Sequence, residues 1–193
     1  MLADTQELCY KIHKDVNGNL TWEQFRVFSE GNFYEGIEKA VNKDSYVNPH
    51  NFFELYEKGL SVINIRDIIK DSVIQLSQKY TQAIVSACGT LFISNFLDKE
   101  NITKCFSDIL GSDVHTSKVI KIASLLKKYD VDPNDAVFIT DTLGDILEAK
   151  KCDVKSIGVT WGLHKKETLE KGNPIVIIDD PRDLENTINN VLK

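Results

Sequence analysis

Residues 137–162, "VFITDTLGDILEAKKCDVKSIGVTWG", hold the plan of the molecule in one run. Apolar Val137, Phe138 and Ile139 lead into a polar bend at Asp141. "LGDILEAKKCDV" follows with helix-forming residues, and "KSIGV" brings a second apolar run. A strand, a helix and another strand in that order make a crossover unit, and crossover units build parallel sheets.

The same alternation extends in both directions. Upstream, "NIRDIIKDSVIQLSQKY" places Ile65, Ile68, Ile69, Val73 and Leu76 at a helical period, and "TQAIVSA" follows as a short strand ending at Ser86. "TLFISNFLDKEN" after Gly89 reads as a helix and "TKCFSDIL" holds a short strand. "TSKVIKIASLLKKYDV" is a helix with Thr116 or Ser117 as its cap. Downstream, "PIVIIDD" is a strand, and Pro181 opens a last helix, "PRDLENTINNVLK", from a favourable first-turn position. The expected fold class is α/β, a Rossmann-like parallel sheet with helices on both faces, over residues 61–193.

Residues 1–60 have another character. "DTQELCYKIHKD" is amphipathic, and "TWEQFRVFSEG" offers Thr21 as N-cap, a carboxylate nearby and Gly31 as stop. No convincing strand occurs there, so this part is a helical region of its own. Trp22, Phe25, Phe28, Phe33 and Tyr34 cluster in it, more often a core than a pocket. "DVNGN" at 15–19 superficially matches an Asp-x-Asp-Gly-Thr loop, but the residues before Asp15 read as helix, and Asn17 cannot act as general acid or base. As a calcium loop it lacks Gly at the sixth position, where Leu20 stands, and a carboxylate at the twelfth, where Arg26 stands. Asn-Gly flanked by Asp and Asn is a turn signal suited to positive φ, here between two helices.

Composition narrows the function classes. The chain has 193 residues, 42% hydrophobic and 27% charged, enough for a sizeable core in one domain with a smaller appendage. With 23 Lys plus Arg against 29 Asp plus Glu, net charge −6, and no basic run, it lacks the electrostatic footprint of a nucleic-acid binder. No apolar run approaches the ~20 residues of a membrane span, and the start "MLADTQE" is not a secretory signal. The expected location is cytoplasmic and the expected partner a small molecule. Cys9, Cys88, Cys105 and Cys152 stand apart, as buried or half-buried thiols rather than a zinc site or a disulfide framework. His13, His50, His115 and His164 share no spacing and read as surface or satisfied histidines.

Ligands of open parallel sheets sit beyond the carboxyl ends of the strands. That rule gathers Ser86, Lys118, Asp141 and Asp145 on one rim. Asp141 and Asp145 could hold Mg²⁺ through hard oxygens, Lys118 could neutralise phosphoryl charge, and Ser86 could hydrogen-bond a phosphoryl oxygen. Taken singly, the two aspartates could equally be charges at a helix N-terminus, and Lys118 a solvated lysine.

In "AIVSA", Lys118 and "VFITDTLGDILEAKKCDVKSIGVTWG", the chain resembles the haloacid dehalogenase-like hydrolases, in particular the phosphoglycolate phosphatase-like branch with a helical cap over the site. Thr140 stands where the family usually has Gly. The resemblance makes residues 1–60 the cap and implies Mg²⁺-dependent hydrolysis of a small phosphorylated metabolite through an aspartyl-phosphate. A second aspartate, two positions after the nucleophile, would serve as acid and base. It also exposes a gap. "LADT" at 2–5 matches the residues directly after the family's Asp-x-Asp-Gly-Thr, so the first, central strand and both catalytic aspartates are expected upstream of Met1, lost or truncated from this chain. The alternative is a non-catalytic remnant that binds phosphate, metal or a protein partner.

Overall fold

A computed structural model describes residues 2–41, 46–47 and 49–192. The first helices are α1 (Gln6–Val16), α2 (Trp22–Val27), α3 (Phe33–Val41) and α4 (Phe52–Leu60), followed by α5 (Asp67–Ser77). Then come β1 (Ala83–Val85), α6 (Thr90–Lys99), β2 (Asp108–Leu110), α7 (Lys118–Tyr129) and β3 (Val137–Thr140). The chain ends with α8 (Leu143–Lys150), β4 (Lys155–Val159), α9 (Lys166–Glu170), β5 (Val176–Ile178) and α10 (Leu184–Val191). Among the described residues no helix is long and apolar enough to cross a membrane.

All strand pairs are parallel, as the crossover pattern requires, but the strands form two ladders. β1 pairs with β2, Val85 opposite Leu110, while β3, β4 and β5 form a second ladder with Thr140 opposite Gly158 and Val159 opposite Ile178. The break falls between β1 and β3. Side chains nevertheless span it: Val85 of β1 and Phe138 of β3 pack against the same buried cluster of Ile122, Ala149 and Val154. On the second ladder Ile157 and Val159 are fully buried, and each such side chain contributes about 1.5–3 kcal/mol relative to exposure. β4 is buried from Ser156 to Val159, whereas β1 has no buried residue and β3 only Thr140. The two strands flanking the break are thus less covered than β4, although they are expected at the centre of a sheet.

Local chemistry explains most boundaries. Thr21 caps α2 in a reciprocal box whose partner is Gln24, three residues on, and not a carboxylate: Gln24 N–H donates to Thr21 Oγ1 at 3.2 Å, and Thr21 N–H to Gln24 Oε1 at 2.8 Å. α2 ends at Val27, short of Gly31. Residues 28–31 turn instead against the start of α8, where Ser29 O accepts the Gly144 N–H at 2.9 Å. The turn after α1 is present but uses no positive φ at Gly18; Asp15 lies in the last turn of α1, and Asn17 closes it by donating its side-chain amide to His13 O at 2.8 Å and Val47 O at 2.7 Å. Neither Thr116 nor Ser117 caps α7 with its side chain. Glu148 of α8 does so from across the fold, accepting the Lys118 N–H at 2.9 Å.

Gly144 of α8 marks a close approach of the helical region to the core. A Cβ there would lie 1.9 Å from Gly31 O. Gly144→Ala should push the 28–31 turn away, break the bond to Ser29, and destabilise the chain by about 2 kcal/mol, as overpacking does. Urea unfolding measures it; an unchanged midpoint would show that the turn yields freely.

Candidate active site

The carboxyl ends of β1 and β3 and the N-termini of α7 and α8 meet at one cavity of about 1050 Å³, and Ser86, Lys118, Asp141 and Asp145 all line it. Each has a structural reason to be there. β3 ends at Thr140, and Thr142 caps α8 by accepting the Asp145 N–H at 3.3 Å, which turns both aspartates toward the rim. Asp141 Oδ2 accepts the Leu163 N–H at 2.8 Å and the Gln6 side-chain amide at 3.2 Å, and its backbone carbonyl accepts the His164 N–H at 3.0 Å. A Cβ at Gly162 would come within 2.2 Å of Asp141 Oδ2, so only glycine lets β4's exit pass this close.

Lys118 reaches Asp145 Oδ2 at 2.6 Å, with the two side chains 13% and 16% exposed. Thr140 donates its hydroxyl to the same oxygen at 2.8 Å and so adds a donor to Asp145. Ser86 Oγ accepts the Cys88 N–H at 3.0 Å, which folds the backbone after β1 into a turn at the cavity's edge.

A divalent cation fits this donor set only with help. Among the described residues no group of three or more His, Cys, Asp or Glu could hold a metal on its own. Mg²⁺, however, is commonly held by one or two carboxylates, with water and substrate phosphate completing its shell. Asp141 and Asp145 both line the cavity and are the carboxylates from which such a pair could be made.

A family model for haloacid dehalogenase-like hydrolases matches residues 1–159. The chain belongs to this family. Among curated relatives, the phosphoglycolate phosphatase of Vibrio parahaemolyticus is 26% identical over 154 residues, covering 77% of this chain and 68% of that protein. Phosphoglycolate phosphatase 1 of Pseudomonas aeruginosa is 25% identical over 148 residues, 75% of this chain but 51% of its own length. Solved structures agree on the fold. A hydrolase from Pseudomonas syringae superposes with TM-score 0.81 at 16% identity, covering 100% of this chain and 95% of that one. A haloacid dehalogenase-like protein from Streptococcus pneumoniae gives 0.77 at 20% identity, with 96% and 92% covered.

Two residues of this haloacid dehalogenase-like site escape a reading by motif. Lys121 is buried, and its ammonium donates to Ser86 O at 2.6 Å and Gly111 O at 3.2 Å, tying the ends of β1 and β2 together. Burial, with Lys118 nearby, pushes its pKa down to about 8. Glu148, also buried, receives Lys118 N–H, Ser117 Oγ and the Asn32 side-chain amide on Oε1, joining α7, α8 and the segment before α3. The available signal was spacing: Lys118 with Lys121, and Asp145 with Glu148, share helix faces three residues apart.

The buried histidines are satisfied rather than reactive. His164 Nδ1 accepts the Leu143 N–H at 2.9 Å, so its Nε2 carries the proton and donates to Arg26 O at 3.0 Å. His13, hydrogen-bonded to Tyr46, is pushed down from 6.5 to about 4 by burial. The unfolded chain therefore binds that proton near pH 6.5 and the folded one not until about pH 4, so stability falls as pH drops across this window. A loss of about 3 kcal/mol by pH 4 is expected, since each pH unit of that window costs about 1.36 kcal/mol. Thermal melts of the protein and of His13→Gln between pH 7 and 4 check it: the variant's slope should be the shallower.

Proposed function

We propose that this family member is a Mg²⁺-dependent phosphatase acting on a small phosphomonoester through an aspartyl-phosphate. The observation that carries the reading is the convergence on one cavity of a strand-end hydroxyl, a lysine seated on a carboxylate, and a second carboxylate. In this reading Ser86 and the amides after it bind phosphoryl oxygens, and Lys118 neutralises their charge. Asp141 and Asp145 hold the Mg²⁺, which supplies Lewis-acid charge when bound. The helices of residues 1–60 act as a cap that shields the site and shapes its specificity.

The chemistry also needs an aspartate delivered to the rim by a strand, with an acid–base aspartate two positions on. None of β1 to β5 supplies that pair. The break between β1 and β3 is the place where a strand carrying it fits. Thr5 and Gln6 line the cavity, and Leu2 and Ala3 pack on the cluster of Ile65, Ile69, Leu97 and Ile102, so a strand joined to Leu2 starts beside that break. The same break favours a second reading, a remnant that keeps the phosphate and cation sites without turnover.

The test uses a protein extended by such a strand and assayed on small phosphate esters with and without Mg²⁺. Asp141→Asn should lower metal-dependent turnover by about a thousandfold, the several kcal/mol that a bound cation contributes to the transition state. Turnover that survives the replacement would remove Asp141 from the metal site.

A further inference from the structure

Lys121 breaks the pattern of α7. It is 1% exposed while its neighbour Ile120 is 51% exposed, so the helix turns a charge inward and an apolar side chain out. Lysine is almost never fully buried unless its charge is met. Here the ammonium donates to two backbone carbonyls, Ser86 O at 2.6 Å and Gly111 O at 3.2 Å. Glu148 and Asp145 of α8 and Asp113 of the loop after β2 favour its charge, and Lys118, three residues earlier, opposes it.

In the phosphatase reading the turn at 86–88 binds phosphoryl oxygens, and this turn is held from three sides. Lys121 donates to Ser86 O, the Tyr34 hydroxyl to Ala87 O at 2.6 Å, and the Ser112 N–H to Cys88 O at 2.9 Å. Within the turn, Ser86 Oγ takes the Cys88 N–H. In a planar trans peptide the carbonyl and the following N–H point opposite ways. Ser86 O is turned onto the buried Lys121, so the Ala87 N–H faces away from it, and Ala87 lines the cavity together with Ser86 and Lys118.

We propose that Lys121 is a positioning residue for phosphate: its ammonium locks the Ser86–Ala87 peptide with the Ala87 N–H presented to the cavity, and sets a second positive charge behind the turn, beside that of Lys118. The inference rests on the phosphatase reading above and adds to it a residue that touches no substrate. A phosphoryl dianion on the turn favours the charged form of Lys121, and by reciprocity the charged form favours the dianion. Burial lowers the pKa of Lys121 to about 8, so the free protein loses that charge as pH rises through this value and affinity falls above it.

The probe is methyl phosphate, whose second ionisation lies near about pH 6 as in other phosphomonoesters. It is titrated by calorimetry, with Mg²⁺ present, into the 193-residue protein and its Lys121→Met variant at pH 7 and pH 9.5. The parent's affinity should fall at least about fivefold between the two. Cys88 and Tyr34, beside the turn, do not supply this slope, because burial pushes both up, Cys88 to about 11. Lys121→Met, which keeps Lys118, should bind at least about tenfold more weakly at pH 7 and lose most of the pH dependence. A thermal melt shows whether the variant folds. If it does not, the lysine ¹³Cε resonances of the parent decide: saturating methyl phosphate should raise the pH at which Lys121 titrates, and an unmoved titration overturns the proposal. Equal affinity in parent and variant, equal pH dependence in the two, or a parent affinity unchanged with pH overturns this inference and leaves the phosphatase reading standing. If the parent binds no methyl phosphate at either pH, the phosphatase reading fails and this inference falls with it.

Discussion

Joining an apolar strand ending in Asp-x-Asp-Gly-Thr ahead of Leu2 should raise the protein's Mg²⁺-dependent phosphatase activity. The expected gain is at least about a thousandfold on a small phosphomonoester, because covalent catalysis divides one difficult displacement into two easier ones. β1 and β3 present their carboxyl ends to one cavity yet belong to separate ladders, and both are less buried than β4. A parallel strand in the break would pair their free edges and cover their side chains. It would also bring its last residues beside Ser86, Lys118 and Asp141. A steady-state assay of the extended and unextended proteins measures the gain. Equal activity in the two would mean that the nucleophile lies within the 193 residues and that the break is incidental.

The second large effect is expected at Lys118. Its ammonium, 2.6 Å from Asp145 and mostly shielded from water, compensates a carboxylate whose other partners include the Thr140 hydroxyl. Lys118→Met leaves that charge without its cation. Removing one member of a fully buried pair costs about 3–5 kcal/mol, and the residual exposure here lowers the expectation to about 2–3 kcal/mol. Affinity for inorganic phosphate should fall by at least about tenfold, since a charged hydrogen bond contributes about 1.5–3 kcal/mol. Combining Lys118→Met with Asp145→Asn separates the two roles: stability should return in large part while phosphate binding stays lost. Recovery of both would make the lysine purely structural.

The strand–helix–strand unit at 137–162 was legible because its apolar periods are set by local geometry, and β3, α8 and β4 fall where the pattern places them. The four rim residues were legible for a related reason. Strand ends point one way in a parallel sheet, so residues at those ends converge whatever the loops do. The features that could not be read depend on distant approach. Nothing local marks Glu148 as the cap of α7, or Gly31 as a contact of Gly144 rather than a helix stop; both come from how α8 packs. Lys121 lies on a helix face whose burial comes only with β1 and β2 beneath it. α9, five residues long, is too short for a helical period to declare itself.

A crystal structure of the extended protein shows whether the break between β1 and β3 receives a strand that completes the proposed phosphate site. The expected result is one continuous parallel sheet, ordered β2, β1, the added strand, β3, β4, β5, with the first aspartate of the added motif facing Lys118 and Asp141. An added segment lying outside the sheet, or β1 and β3 hydrogen-bonded directly to each other, would contradict it.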